Sequence, residues 1–187
     1  QSCLPLVEEI SNSVLRNPGA IISLARLKTK DDYSYMHSVA VCALMVALGR
    51  QLGMDDEQCR QAGFAGLLHD MGKATLPLDI LNKPGKLTDA EFDVVRSHPQ
   101  RGYELLVEGG GASAEVLDVC LQHHEKMDGS GYPHRLTPER ITQLARMGVA
   151  VTMALRRHGF YPAGGGEMEV TVVPALGALE PFDLLER

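Results

Sequence analysis

The sequence lacks the excess of positive charge that marks nucleic-acid-binding proteins. Its 18 lysines and arginines stand against 24 aspartates and glutamates, which gives a formal net charge of −6. Surfaces that bind nucleic acids carry clustered basic residues, so this balance argues against such a role. An anionic substrate would have to be bound through metal ions or a local group of basic side chains. We therefore expect no nucleic acid polymer among the partners.

Paired cysteines and long apolar runs are also missing. The four cysteines form no C-x-x-C pair and lie mostly among apolar residues, so we predict small core residues in a reducing compartment such as the cytoplasm. No run is long and uniform enough for a membrane span, and residues 39–48 suit a buried helix better. We expect no signal peptide. Because the chain begins at Gln1 without a methionine, we expect further sequence upstream.

The pattern that remains is that of a helical globular domain. The chain has 187 residues, of which 44% are apolar and 22% charged, and this suits one domain with an appendage. Apolar spacing and capping residues predict helices at residues 4–16, 21–27, 33–53, 57–69, 88–98, 101–107, 114–124 and 137–157. Only residues 167–173 have the pattern of a strand. We predict an all-α fold with N-terminal helices over residues 1–30, a main domain over 31–159 and a partly β tail over 160–187.

Histidines are concentrated within or at the ends of the predicted helices. A single histidine at a helix end can simply complement the helix dipole, so the pair His69 and Asp70 is ambiguous by itself. Five such histidines are hard to satisfy separately, because each neutral imidazole needs a donor and an acceptor partner. A shared metal centre would satisfy them all. The candidate ligands are His37, His69, Asp70, His98, His123 and His124. We expect His134 and His158 in loops or on the surface.

The number and kind of these donors indicate two metal ions. Six nitrogen and oxygen donors exceed the four ligands of a tetrahedral zinc site and suit two octahedral ions, with Asp70 as the bridge. Imidazole-rich sites favour iron or manganese, with nickel, zinc or cobalt as alternatives, over magnesium, which prefers oxygen. Two divalent cations about 3.5–4 Å apart lower the pKa of a bridging water and hold phosphodiester oxygens for in-line attack.

Four stretches in fixed order carry a resemblance to a known family. They are residues 69–73 (His-Asp-Met-Gly-Lys), 83–88 (Lys-Pro-Gly-Lys-Leu-Thr), 96–99 (Arg-Ser-His-Pro) and 123–133 (His-His-Glu-Lys-Met-Asp-Gly-Ser-Gly-Tyr-Pro). Together they resemble the HD-GYP family, the all-helical bacterial phosphodiesterases of cyclic di-GMP within the HD phosphohydrolases. The resemblance runs from about residue 4 to residue 149. It implies an HD-domain helical bundle around a dinuclear metal site, and hydrolysis of cyclic di-GMP to pGpG, GMP or both.

The resemblance also implies roles for individual residues. It assigns metal binding to the six candidate ligands and places Lys73 at a substrate phosphate, so Asp70 and Lys73 are the predicted catalytic residues. Gly131, Tyr132 and Pro133 would shape the substrate site and contact partner diguanylate cyclase domains. The same glycines, tyrosine and proline would also make an ordinary tight loop. A homodimer and an upstream regulatory domain are further expectations.

The chain departs from the family pattern at two places. Some members use a glutamate for a third metal where this chain has Tyr33, so we expect two metals. After residue 149 the family normally supplies an aspartate ligand, whereas this chain has Thr152 and no carboxylate. Residues 159–164 resemble a stretch found well downstream in one subfamily. We therefore expect some tens of residues to be missing between 149 and 152. The alternative is a continuous helix in a protein that has lost the ligand.

Three functions stay open at this point. The first is a phosphodiesterase of cyclic di-GMP, which the ligand set and Lys73 favour. The second is a degenerate module that binds cyclic di-GMP or a partner protein without turnover. The third is an HD phosphohydrolase acting on another cyclic dinucleotide or nucleotide, which the loop at residues 129–133 disfavours.

Overall fold

The computed structural model describes residues 4–16 and 33–157, and every regular element within these ranges is helical. The α-helices are α1 (Leu4–Arg16), α2 (Tyr33–Gln51), α3 (Asp56–Leu68), α4 (Leu78–Leu81), α5 (Asp89–Val95), α6 (His98–Gly109), α7 (Ala114–Gln122) and α8 (Gln143–Arg157). Two 3₁₀ turns lie at Met71–Thr75 and Pro138–Arg140. The predicted all-α class is confirmed. The predicted helix at 21–27 and strand at 167–173 lie outside the described residues.

Helix α2 lies at the centre of the bundle. It packs against α1, α3 and α8, and its middle section is buried on almost every side, as its nearly uniform apolar sequence predicts. Val41, Met45 and Leu48 join the main core, to which α3, α7 and α8 also contribute. Burial of an apolar side chain of this size contributes about 1.5–3 kcal/mol. The core thus fixes the helix that carries His37.

Small residues let α3 lie unusually close to α2. A Cβ atom added to Gly66 would lie 3.0 Å from the backbone Cα and N of Cys42. Ala62 and Ala65 on the same helix are fully buried. The N-terminus of α3 is fixed by Asp55, which forms a capping box with Gln58. Because both its start and its packing are determined, the C-terminal end of α3, where His69 follows, is held in place.

The predicted helix over residues 88–98 is wrong at its C-terminal end. Thr88 and Glu91 form the predicted capping box, but α5 ends at Val95 and a separate helix, α6, begins at His98. Pro99 has no N–H to donate and cannot continue a preceding helix, so the chain turns at Arg96 and starts again. The turn makes His98 the first residue of α6 instead of the last residue of α5.

Two further helix predictions need correction. Helix α7 ends at Gln122, so His123 is its C-cap residue and His124 lies beyond the helix. The predicted continuous helix from residue 137 to 157 is divided, because Ile141 is buried in an extended conformation after the 3₁₀ turn. Thr142 then caps the new helix, because its hydroxyl accepts the Ala145 backbone N–H at 3.4 Å, while its own backbone N–H donates to Gln122 Oε1 at 3.4 Å.

Helix α8 runs without interruption through residues 149–152. Thr152 is buried, and its hydroxyl lies within hydrogen-bonding distance of the backbone oxygens of His123 at 3.3 Å and Val149 at 3.0 Å. The hydroxyl therefore supports the backbone beneath a candidate ligand. Whether residues are missing from the sequence at this point stays a prediction.

The cysteines of the described region are core residues, as expected. Cys42, Cys59 and Cys120 are buried and unpaired. Burial raises the pKa of the Cys42 and Cys120 thiols to about 12, so both stay protonated. Within residues 4–16 and 33–157, no helix has the length and apolar character needed to cross a bilayer.

Candidate metal centre

All six predicted ligands lie together where helix ends meet. His37 lies early in α2, His69 is the C-cap of α3 and Asp70 follows it, while the other three come from the start of α6 and the end of α7. His37, His69, Asp70, His98 and His123 are buried, with exposures of 1–8%, and His124 is partly buried. The expected exposed position of His134 is confirmed, and His158 lies outside the described residues.

The side chains form two groups that share Asp70. One group contains His37, His69 and Asp70, and the other contains Asp70, His98, His123 and His124; the ligand atoms of each group lie within 4.8 Å of one another. The two carboxylate oxygens face different groups. Oδ2 lies 3.1 Å from His69 Nε2 and 3.6 Å from His37 Nε2. Oδ1 lies 3.2 Å from His98 Nε2 and 3.5 Å from His123 Nε2. This is the arrangement of a bridging carboxylate.

Hydrogen bonds to the backbone set the tautomers of three histidines. His69 Nδ1 lies 2.7 Å from the Gly66 carbonyl oxygen, His98 Nδ1 2.7 Å from that of Val95, and His123 Nδ1 2.9 Å from that of Cys120. A carbonyl oxygen only accepts, so each Nδ1 carries the proton and donates it. In the neutral ring the Nε2 atom then presents a lone pair towards the centre.

These lone pairs face one another and the Asp70 carboxylate. His98 Nε2 and His123 Nε2 are 3.2 Å apart, and His37 Nε2 and His69 Nε2 are 3.3 Å apart. Asp70 Oδ1 is buried and has no hydrogen-bond partner among the described residues. Asp70 Oδ1 and the Nε2 lone pairs of His98 and His123 are buried acceptors that face one another, which is unfavourable unless a cation binds among them. These nitrogen and oxygen ligand atoms therefore fit divalent metal ions.

Burial favours the neutral form of three imidazoles, and the Asp70 carboxylate stays charged. Burial lowers the pKa of His37 to about 3 and that of His123 to about 4, and it holds the pKa of His124 well below its usual value. Burial alone would raise the pKa of Asp70, but the electrostatic influence of His69 and Lys73 outweighs it, so the Asp70 pKa lies well below its usual range. Neutral imidazoles and an ionised carboxylate are the forms that bind metals.

Lys73 contacts the candidate bridge directly. It lies in the 3₁₀ turn after Asp70, and its Nζ donates to Asp70 Oδ2 at 2.7 Å. The turn packs against α6 so closely that a Cβ atom on Gly72 would overlap the carbonyl oxygen of His98 and lie 2.6 Å from the backbone N of Gly102. The absence of a side chain at Gly72 thus allows Asp70 and His98 to approach each other.

The loop after His124 is organised by Glu125, a residue for which the sequence analysis predicts no role of its own. Its carboxylate is 1% exposed and accepts backbone N–H groups from His134 at 2.7 Å and Leu136 at 2.9 Å. Gly131 is buried against this segment, and a Cβ atom there would overlap the Glu125 backbone. The available sequence signal was the position of this acidic residue, which follows two histidines and precedes a glycine-rich loop.

Tyr132 lies beside the candidate metal ligands. Its backbone N–H donates to the His124 oxygen at 3.1 Å, and its ring stacks on the His124 imidazole, with centroids 4.6 Å apart and an interplanar angle of 18°. Pro133 follows at a half-buried position. The structure thus brings residues 131–133 next to the candidate ligands, while their contact with a substrate stays a prediction.

Comparisons with known proteins match most of this chain. The model of the HD domain family matches residues 15–158. Cyclic di-GMP phosphodiesterase PA4108 of Pseudomonas aeruginosa is 63% identical over 143 residues, which cover 76% of this chain and 34% of that protein. The 3'3'-cGAMP-specific phosphodiesterase 1 of Vibrio cholerae is 34% identical over 145 residues, which cover 72% of this chain and 33% of that protein.

A solved structure shares the fold. It is that of Bd1817, a HDG"Y"P protein from Bdellovibrio bacteriovorus, with a TM-score of 0.69 and 24% identity over 80% of this chain and 49% of that one. The present chain spans about a third of the length of the two curated relatives. The family match covers the whole ligand set, from His37 to His124. The chain therefore belongs to the HD domain family, and its predicted relationship to the HD-GYP proteins is confirmed.

Proposed function

We propose that this chain is a metal-dependent phosphodiesterase that hydrolyses cyclic di-GMP to pGpG, GMP or both. One observation carries the proposal: the Asp70 carboxylate turns one oxygen to each of two imidazole groups, in a chain 63% identical to a curated cyclic di-GMP phosphodiesterase. A shared carboxylate between two nitrogen-rich groups is the ligand arrangement of a two-metal phosphoesterase.

Each candidate ligand would serve one of two cations. His37 and His69 would hold the first, His98, His123 and His124 the second, and Asp70 both. The imidazole content favours iron or manganese, with nickel, zinc or cobalt as alternatives and magnesium less suited. Bound divalent cations supply Lewis-acid polarisation of the phosphate and a water of lowered pKa.

The chain's own residues would position and neutralise the substrate. The contact with Asp70 positions the Lys73 ammonium group beside the candidate ligands. From there it can also donate to a phosphate oxygen and stabilise the charge that develops on the departing oxygen. Asp70 and Lys73 are thus the proposed catalytic residues. Tyr132, with Gly131 and Pro133, forms the proposed wall of the substrate site beside His124.

The biological setting is also a proposal. A substrate of this kind implies a cytoplasmic protein of a bacterium. An upstream regulatory domain, a homodimer and contacts of residues 131–133 with diguanylate cyclase domains would complete the arrangement. The buried, intact set of six ligands disfavours a degenerate module, even though Thr152 replaces the expected carboxylate.

A second substrate follows from one comparison. The Vibrio cholerae relative is named as specific for 3'3'-cGAMP and is 34% identical. The difference between the two cyclic dinucleotides lies in one base, and no described contact decides between them.

The test is a hydrolysis assay with both dinucleotides. The metal-free protein is loaded with Mn²⁺ or Fe²⁺, and products are separated by chromatography. We expect cyclic di-GMP to be hydrolysed with the higher kcat/KM, and we expect a chelator or Asp70→Asn to abolish turnover. Preference for 3'3'-cGAMP would replace the first substrate by the second. Hydrolysis that survives both chelation and Asp70→Asn would reject the metal-dependent mechanism.

A further inference from the structure

His124 is held in a different way from the neighbouring ligands. His69, His98 and His123 each donate from Nδ1 to a backbone carbonyl, whereas the His124 ring makes no hydrogen bond to any residue that the structure describes. A metal-binding imidazole is usually oriented by such a bond. The His124 ring instead lies against the Tyr132 ring, nearly parallel to it. The His124 ring also contacts the rings of His98 and His123, with centroids 5.1 Å and 4.2 Å away, so its orientation depends on ring contacts, among which the stack on Tyr132 is the nearly parallel one.

Tyr132 is in turn covered by Arg96. The guanidinium carbon of Arg96 lies 5.3 Å from the centroid of the Tyr132 ring and 5.1 Å from that of Phe92. Both distances are within the range of cation–π attraction. Phe92, Arg96, Tyr132 and His124 form a continuous series of ring and guanidinium contacts, which we call the aromatic stack. It runs from helix α5 at the surface to the candidate metal ligands.

The polar contacts of Arg96 do not explain its position. Its nearest carboxylate oxygen, Asp93 Oδ1, is 3.7 Å away in an exposed pair three residues along the helix, and such pairs contribute little. Its Nε is buried and has no hydrogen-bond partner within the described ranges. A cation at the C-terminus of α5 would also complement the helix dipole, but a lysine would do so equally well. The planar contacts with two rings are specific to arginine.

We propose that Arg96 is a positioning residue that holds Tyr132 against His124 and so fixes the His124 imidazole for metal binding. The aromatic stack takes the place of the hydrogen bond that orients the other ligands. Arg96 lies two residues before His98, so one short segment carries both a ligand and the support of a second ligand. This inference rests on the metal site of the proposed function, but not on any particular substrate.

The experiment measures metal binding by the full chain without substrate. Metal-free protein is titrated with Co²⁺ in a calorimeter, and the visible absorption spectrum of the cobalt complex is recorded. Loss of the support of a ligand typically lowers metal affinity 10–100-fold. We therefore expect Arg96→Gln to weaken one of the two metal equivalents by about tenfold and to change the cobalt spectrum. The metal affinity of Arg96→Lys should lie between those of Arg96→Gln and the unsubstituted chain, because lysine keeps the charge but lacks the planar group.

Variants of Tyr132 and Phe92 test the same stack from both sides. Tyr132→Leu removes the ring between Arg96 and His124 and should resemble Arg96→Gln. Phe92 is 43% exposed, so Phe92→Leu disturbs packing little and should give a smaller loss of the same kind. Arg101→Gln is the matched control, because Arg101 is an exposed arginine near His98 without a described ring contact. It should bind Co²⁺ like the unsubstituted chain.

Kinetics separate positioning from substrate binding. If Arg96 acts through His124, Arg96→Gln lowers kcat at limiting metal, excess metal restores it, and KM for cyclic di-GMP stays unchanged. A raised KM with unchanged metal affinity would overturn the proposal, because Arg96 would then bind the substrate itself. Folded Arg96→Gln and Tyr132→Leu variants with unchanged affinity and spectrum would overturn it as well. An unsubstituted chain that binds two metals without hydrolysing cyclic di-GMP would reject the proposed function and leave this inference standing.

Discussion

The ammonium group of Lys73 lies 2.7 Å from Asp70 Oδ2, the carboxylate oxygen that also faces His69 at 3.1 Å. The lysine is three residues after the aspartate, within the 3₁₀ turn that packs on α6. Its charge therefore acts on the one carboxylate that both candidate metals would share. The same contact places the ammonium group beside the candidate metal ligands.

Lys73→Met should lower kcat without removing the metals. The variant keeps the length and packing of the side chain but loses the donor to the phosphate, and loss of one such donor typically costs 10²–10³-fold in kcat. We expect a decrease of about 10²-fold in a steady-state assay with cyclic di-GMP. Lys86→Met is the control, because Lys86 is exposed in a loop and should leave kcat unchanged. A Lys73→Met variant within twofold of the unsubstituted rate would contradict a catalytic role.

Asp70→Asn should release both metal equivalents. The change keeps the shape of the side chain but removes the negative charge and one acceptor oxygen, so neither imidazole group retains its bridging ligand. Metal content after dialysis, measured by inductively coupled plasma mass spectrometry, should fall from two equivalents per chain to fewer than one. Asp79→Asn, which changes an exposed acid outside the cluster, should retain both. Two retained equivalents in Asp70→Asn would show that Asp70 does not bridge.

The helical class and the gathering of the ligands could be predicted because their signals are local or chemically unusual. Asp55 and Thr88 each start a helix through a capping box readable within four residues. Five histidines at helix positions left few explanations other than a common site. The corrected boundaries depend on contacts between distant residues. The break before α8 places Ile141 in the main core, which only the folded structure shows, although Thr142 then caps the new helix locally through the Ala145 N–H.

The supporting residues were less predictable than the ligands for the same reason. Glu125 belongs to the recognised motif, but its role depends on backbone N–H groups of His134 and Leu136 that reach it only in the folded loop. The sequence alone is equally compatible with Arg96 as a solvated residue at a helix end. Its support of Tyr132 is visible only from the distance between the two side chains in the folded structure. The chemistry of a residue type indicates a ligand, whereas a support is defined by geometry.

Glu125→Gln should destabilise the protein through the loop at residues 129–133. The amide keeps the volume of the carboxyl group, but one of its two ends is a donor and would face a backbone N–H that also donates. An unsatisfied buried group costs about 1–3 kcal/mol, and we expect a decrease of this size in the free energy of unfolding by urea. Because Gly131 packs on this segment, the activity at 25 °C should fall as well.

The control for that change is Glu139→Gln, since Glu139 is exposed in the 3₁₀ turn Pro138–Arg140. It should change the free energy of unfolding by less than about 0.5 kcal/mol, as is usual for surface substitutions. If Glu125→Gln unfolds at the same urea concentration as Glu139→Gln, the carboxylate of Glu125 does not organise the loop.

The metal-free protein should lose stability as the pH falls below 6.5. Burial lowers the pKa of His37 from 6.5 to about 3 and that of His123 from 6.5 to about 4 in the folded state. Between these values the unfolded chain binds more protons than the folded one, so the free energy of unfolding rises with pH. The stabilising contribution of the two histidines is fully present above about pH 6.5. At pH 5 each histidine should account for a loss of about 2 kcal/mol relative to pH 7. Urea unfolding of chelator-treated protein at the two pH values measures the difference.

His37→Gln identifies one source of this pH dependence. The variant cannot take up a proton at residue 37 on unfolding, so its loss of stability between pH 7 and pH 5 should be smaller by about 2 kcal/mol. Bound metal should suppress the effect near neutral pH, since ligands that hold a cation resist protonation until the pH is low enough to displace it. An equal loss in the His37→Gln variant and the unsubstituted chain would place the pH dependence in other groups.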